Sequence, residues 1–302
     1  MGGCQQQGRL WADALLLFLG RLGISAEQMF GLLSDAAVLQ VVQIVISSVM
    51  FLLPFFIVVF GTGKKLGEII SFGAPDKKLF MPLVLMGFGF CTFANIATNT
   101  VASFFSTLGF EYQSPQIEIP EGVFGFLLVI LSTAITPALV EEFAIRGAVM
   151  QPLRKYGDWF AIIASSIVFA VLHGNLIQAP FALIAGIGIG YAVCITESLW
   201  TGIIIHFCNN FYAVVTEFMI ADIPDENMLN KVYYISLIVL YAVSIIGSAV
   251  FMIIKNKRTL KKPFTALTAG RKFAAFMLSV PMVIALLIML YFTSQYVEIS
   301  LF

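Results

Sequence analysis

The chain has 302 residues, 60% of them hydrophobic and 11% charged, with a mean hydropathy of +0.96; a soluble domain is roughly 45–50% apolar and about 25% charged. Its 17 basic and 17 acidic residues balance, so charge gives no sign of nucleic-acid binding, and the composition excludes an ordinary soluble domain. The expected fold class is all-α, a polytopic membrane protein of about eight transmembrane helices around an intramembrane cavity, with the lipid bilayer as its first partner.

Residues 1–35 mix polar and apolar side chains, among them Arg9, Trp11, Asp13, Arg21 and Glu27, and suit an amphipathic helix lying at the interface. Residues 36–302 read as a single membrane domain without internal repeat or linker. Apolar runs occupy about 36–61, 80–108, 122–150, 158–173, 178–195, 199–220, 231–254 and 273–297. The fourth and fifth runs are short, so the stretch 174–180 joining them is expected below the membrane surface, facing a polar cavity.

Lysine and arginine alternate between loops. Lys64, Lys65, Lys77 and Lys78 follow the first run, Arg154 and Lys155 the third, and Lys255, Lys257, Arg258, Lys261, Lys262, Arg271 and Lys272 the seventh. The intervening loops carry acids (Glu111, Glu118 and Glu121; Asp222, Asp225 and Glu226) or no charge. The positive-inside rule therefore places the basic loops in the cytoplasm and both termini outside. Trp159 and Trp200 then stand at cytoplasmic helix ends, as interfacial anchors do. Cys4, Cys91, Cys194 and Cys208 are scattered without CxxC spacing and read as reduced, packed thiols. Gly186 and Gly190 form a small-xxx-small surface for close helix packing rather than a nucleotide loop, since Tyr191 stands where GxGxxG needs its last glycine.

The candidate site comes from charges placed where lipid should be. An ionisable side chain at bilayer depth costs at least ~2.5–3.5 kcal/mol on insertion scales and is by default a functional candidate. Glu141, Glu142 and Arg146 are such residues, and the only two histidines, His173 and His206, lie in apolar runs further along. Glu142 and Arg146 are in i,i+4 register with the acid first, the favourable order for an ion pair. Glu141, about 100° away on the helix, has no helical partner, which suits a general acid or base. Pro137 removes a backbone donor and frees the carbonyl of Thr133, so a kink is expected there. Phe169 and His173 share a face, as do His206 and Asn210, a pair able to donate hydrogen bonds to a developing oxyanion. Asn209 and Cys208 face elsewhere and are assigned to packing.

Taken together, EExxxR (Glu141, Glu142, Arg146), FxxxH (Phe169, His173) and HxxxN (His206, Asn210) resemble the CPBP family, the CAAX protease and bacteriocin-processing membrane proteins also called Abi, which include the type II CAAX prenyl endopeptidases. The resemblance covers about residues 120–215. It implies an eight-helix intramembrane endopeptidase of the bacterial cytoplasmic membrane, acting on a hydrophobic or membrane-anchored peptide. It further implies that Glu141 activates water with help from His173, that His206 and Asn210 stabilise the oxyanion, and that Glu142, Arg146 and Phe169 shape the site. Glu141, His173 and His206 would also serve as a three-ligand set for a catalytic zinc with one open position. There is no HExxH, and a His206 that supports the oxyanion is not free to bind metal, so the metal-free glutamate mechanism is preferred.

Other functions compete with proteolysis. The same cavity would serve a non-catalytic peptide-binding or bacteriocin-immunity protein, and buried acids and histidines also build the proton relays of transporters. No inverted pair of broken helices supports the transporter. One geometric difficulty stands: at 1.5 Å per residue Glu141 lies about 15 Å and His206 about 12 Å from their nearest cytoplasmic loops, but His173 about 22 Å.

Overall fold

The computed structural model describes residues 31, 35–63, 67, 73–112, 120–221, 225–255, 259–265 and 267–299. The interfacial segment expected at 1–35 lies almost wholly outside these residues, as do Lys64, Lys65, Glu118, Asp222, Lys257 and Arg258.

The described chain runs as helices α1 (Ala36–Thr62), α2 (Lys77–Thr107), α3 (Gly122–Tyr156), α4 (Asp158–Leu172), α5 (Ala179–Thr196), α6 (Leu199–Ala221), α7 (Glu226–Ile254), α8 (Ala269–Met277) and α9 (Val280–Tyr296). A two-stranded antiparallel ribbon, β1 (Phe110–Tyr112) with β2 (Val297–Ile299), joins the end of α2 to the end of α9. Helix starts follow from local chemistry. Asp35, Asp76 and Asp225 each accept a hydrogen bond from a first-turn amide of α1, α2 and α7, at 2.8, 3.0 and 3.0 Å, satisfying donors that the helix itself leaves open.

By length and composition α1, α2, α3, α5 and α7 can cross a membrane, and the α8–α9 pair makes a sixth if taken as one span. All eight apolar runs are thus helical, but the last is broken: α8 and α9 meet at 61°. Pro281 in the first turn of α9 lacks the amide a continuous helix would need and is accepted at a helix start. α4 has only 15 residues, and α6 carries His206, Asn209 and Asn210 in its apolar run.

The core sits where α2, α5 and α6 meet α3 and α4. Leu83, Ala94, Ile162, Ala192 and Ile205 are fully buried there, whereas Phe60, Ile238 and Ile253 point outward, as lipid-facing side chains do. Small residues set the helix spacing. A Cβ on Gly186 would meet Ser166 Cβ at 3.0 Å and one on Gly190 would meet Ile162 Cγ2 at 3.3 Å, so α5 lies close along α4, as the small-xxx-small pattern implied.

α3 is the element that positions the site. It is α-helical over Gly122–Val129 and Thr136–Glu142, and π-helical over Ile130–Ile135 and Phe143–Met150. In the first π turn the amide of Thr136 bonds Leu131, five residues back. Pro137 follows with no amide to offer, and this is how the rod absorbs the proline within a wide turn. The helix continues past Gln151 to Tyr156, so about 22 Å of helix separates Glu141 from Tyr156, as it separates His173 from Asp158. That longer rod brings Glu141 and His173 to the same depth, while His206 stays about 12 Å from Ser198 at the start of α6.

Candidate active site

A cavity of about 580 Å³ lies among α1–α6. Glu141 enters it from α3, His173 from the end of α4, and His206 and Asn210 from α6. Gln43 from α1 and Asn95 and Thr98 from α2 face it from helices outside the sequence motifs. The four expected catalytic side chains therefore share one space.

The buried half of the site is a chain of charge-assisted contacts. Glu142 and Arg146 are both completely excluded from solvent, and Arg146 Nη1 donates to Glu142 Oε1 at 2.9 Å. His206 Nδ1 lies 3.0 Å from the same oxygen. A carboxylate oxygen only accepts when ionised, so Nδ1 carries its hydrogen and Nε2 is turned toward the cavity. Arg146 Nη2 donates to the carbonyl of Gly186 at 3.1 Å, tying α3 to α5, and its guanidinium lies 5.1 Å from the centre of the Phe169 ring. Close approach of α6 makes the His206 contact reachable: a Cβ on Gly202 would stand 2.9 Å from Glu142 Oε2. Glu142 is thus more than the partner of Arg146, since it also fixes the imidazole of His206.

The open half faces the cavity. Glu141 retains 15% exposure, and its Oε2 lies 3.8 Å from His206 Nε2, too far for a direct hydrogen bond but close enough for one water or hydroxyl to touch both. His173 Nδ1 lies 2.8 Å from the carbonyl of Phe169, which can only accept, so Nδ1 donates and the lone pair of Nε2 is left for another partner. The Phe169 ring stands edge-on to His173 at 4.7 Å and limits its rotation.

Asn210 closes the accounting at Pro137. Its Nδ2 donates to the carbonyl of Thr133 at 3.0 Å, taking up the acceptor that Pro137 leaves unpaired, and its Oδ1 accepts from Asn209 Nδ2 at 3.1 Å. One N–H of Asn210 is committed, then, and the second is not used by these bonds. Asn209, assigned to packing on helical register, lines the cavity and orients Asn210; Cys91 lines it as well.

Among the described residues no three His, Cys, Asp or Glu side chains converge as a group that could hold a metal ion. Glu141, His173 and His206 share the cavity, and the Nδ1 contacts of the two imidazoles, to Glu142 for His206 and to the Phe169 carbonyl for His173, leave each Nε2 free of those bonds.

Residues 123–212 match the family model described as type II CAAX prenyl endopeptidase Rce1-like. Comparison with curated proteins and with solved structures found no match. The matched stretch begins in the first turn of α3 and ends in the middle of α6, and so contains every residue of the EExxxR, FxxxH and HxxxN patterns. The part of the chain that carries Glu141, His173, His206 and Asn210 into the cavity is therefore the part that is similar to the Rce1-like type II CAAX prenyl endopeptidases.

Proposed function

We propose that this protein is an intramembrane endopeptidase that hydrolyses a peptide bond of a hydrophobic or membrane-associated substrate by glutamate-activated water. The observation that carries the reading is the meeting of Glu141, His173, His206 and Asn210 around one cavity, within the segment that matches an endopeptidase family. All eight apolar runs act as membrane helices in this reading, with the basic loops and the Arg154 end of α3 in the cytoplasm and both termini outside. The membrane is the bacterial cytoplasmic membrane.

The chemistry follows from atom positions. Water sits between Glu141 and His173, where it donates to the lone pair of His173 Nε2. Glu141 takes its other proton as the oxygen attacks the scissile carbonyl carbon. The carbonyl oxygen becomes an oxyanion, which accepts from His206 Nε2–H and from the second N–H of Asn210. When the tetrahedral intermediate collapses, the C–N bond breaks and Glu141 returns its proton to the leaving amine. Glu142 holds His206 through Nδ1 with both ring nitrogens protonated, and Arg146 balances the paired carboxylate; neither touches substrate.

The test is to compare the peptides released by membranes containing wild-type protein with those from membranes containing Glu141→Gln or His173→Ala. Loss of specific products in both variants, with each still folded, is expected. Full cleavage by either variant would sink the proposal.

A further inference from the structure

A second cavity, of about 640 Å³, lies at the opposite end of α4 from His173. Its walls come from the α3–α4 junction, Tyr191 of α5, Lys255, residues 259–263, and Ala269, Lys272 and Phe273 of α8. Lys255, Lys261, Lys262 and Lys272 line it together with Trp159 and Tyr191; among the described residues no acidic side chain lines it. We infer that this cavity binds one anionic phospholipid from the adjoining leaflet, its phosphate against Lys255 and Lys262 and the start of an acyl chain along Trp159 and Tyr191. The inference does not depend on the catalytic reading.

The site is built rather than a loose basic surface. Asp158 accepts from the amide of Lys261 at 2.8 Å and its own amide donates to the carbonyl of Lys261 at 3.1 Å. Phe264 N donates to the carbonyl of Lys155 at 3.2 Å, and Lys272 Nζ to the carbonyl of Tyr156 at 2.8 Å. These bonds hold the basic stretch over the end of α3 and α4 with space beneath it. Lys261 is neutralised by Glu197 at 2.7 Å, which leaves Lys255 and Lys262 as the charges facing an incoming ligand, together with Lys272 where it caps Tyr156.

A phospholipid fits better than a soluble anion because the aromatic wall continues into the lipid-facing surface. Trp159 is 55% exposed and its ring lies 5.9 Å from that of Tyr191, an indole-and-phenol surface of the kind found at headgroup level. Basic pockets between membrane helices are recognised sites for anionic headgroups. The sequence is biased in the same direction: residues 251–280 contain seven Lys and Arg and no Asp or Glu, although the whole chain is neutral.

The experiment is native mass spectrometry of purified full-length protein exchanged into mixed phosphatidylglycerol and phosphatidylcholine. Wild type is expected to retain one phosphatidylglycerol in about tenfold preference to phosphatidylcholine. Lys255→Gln/Lys262→Gln should bring the ratio close to one. Lys77→Gln/Lys78→Gln should leave it unchanged, since that pair sits at the same end of the molecule, where Ser198 Oγ bonds the carbonyl of Gly73, but outside the cavity. Equal retention of the two lipids by wild type overturns the inference, and so does a preference that survives in the Lys255/Lys262 variant. Equal loss in the Lys77/Lys78 variant would reduce it to general surface charge, and displacement of the lipid by millimolar inorganic phosphate would make it a phosphate site. Stronger quenching of tryptophan fluorescence by brominated phosphatidylglycerol than by brominated phosphatidylcholine, with the difference lost in Trp159→Leu because Trp200 lies outside the cavity, is a second reading that needs no lysine variant; equal quenching by the two lipids in wild type also overturns it.

Discussion

Two charge clusters are strung on α3, and they are finished to different degrees. At the Arg154 end, every guanidinium nitrogen is used: Nε and Nη2 hold Asp158 at 2.7 and 3.1 Å, while Nη1 and Nη2 hold Glu197 at 2.8 and 2.9 Å, and Lys261 completes the group. Around Arg146, deeper and fully dry, Arg146 Nε and Glu142 Oε2 have no hydrogen-bond partner among the described residues. Buried polar atoms are rarely left open, because each costs about 1–3 kcal/mol. The saturated cluster ties α3, α4 and α5 together, while the unsaturated one keeps a histidine and two carboxylates close to a cavity. Saturation thus separates the Arg154 clamp from the proposed active site better than the presence of charge does.

That contrast can be broken at four places. The largest effect is expected from Glu141→Gln, which should lower the rate of peptide cleavage by roughly 10²–10⁴-fold with the thermal midpoint unmoved, because it removes the proton acceptor and keeps the shape. Asn210→Ala should lower the rate by about 10²–10³-fold through loss of an oxyanion donor, and should also cost about 1–3 kcal/mol of stability by orphaning the Thr133 carbonyl. If Asn210→Ala loses stability but no rate, its amide serves only the helix.

In the dry cluster, Arg146→Met should destabilise by about 3–5 kcal/mol, as expected when one partner of a buried ion pair is removed, and Glu142→Gln/Arg146→Met should recover part of that loss. Thermal unfolding in detergent measures both, and a double variant no better than the single would mean that Arg146 acts through packing alone. The smallest effect is expected at the saturated end, where Glu197→Gln should cost under about 1 kcal/mol, since Glu197 is 44% exposed and well screened. Burial raises the Glu197 carboxyl, but hydrogen bonds from Arg154 and Lys261 outweigh it and bring it from the usual 4.5 down to about 2. Its folded-state value lies below the unfolded one, so its contribution is present above about pH 4.5 and is lost as the pH falls toward 2. Acid titration of stability should therefore be shallower in Glu197→Gln than in wild type across that window.

Much of the site was legible in the sequence because it depends on spacing within single helices. Glu142 and Arg146 meet at the i,i+4 register that the sequence implied, and the Thr133 carbonyl, which Pro137 was expected to free, accepts from Asn210. What the sequence did not reveal depends on contacts between helices. Nothing local indicates that Asn210 is the group that caps Thr133, that His206 docks on Glu142, or that Gln43, Asn95 and Thr98 complete the cavity from 40 or more residues upstream. Register misled at Asn209, whose short amide reaches its neighbour Asn210 regardless of helix face. The broken last run, by contrast, left a readable signal in Ser279-Val280-Pro281, where the residue before a proline is disfavoured in a helix.

The two π-helical stretches of α3 set the phase of Glu141, the carboxylate proposed to react. An α-helix turns about 100° per residue, and a wide turn takes up one extra residue without lengthening the rod in proportion. The azimuth of Glu141 is therefore uncoupled from that of Arg154 on the same helix, so the clamp can grip α4 and α5 while the carboxylate points into the cavity between α4 and α6. Removing a single residue from Gly147–Met150, within the π stretch that separates the two, would reset that phase and turn Glu141 away from the cavity while the clamp holds, with the site's side chains chemically intact. The number of residues in this rod is in that sense as much a part of the chemistry as the identity of the acid.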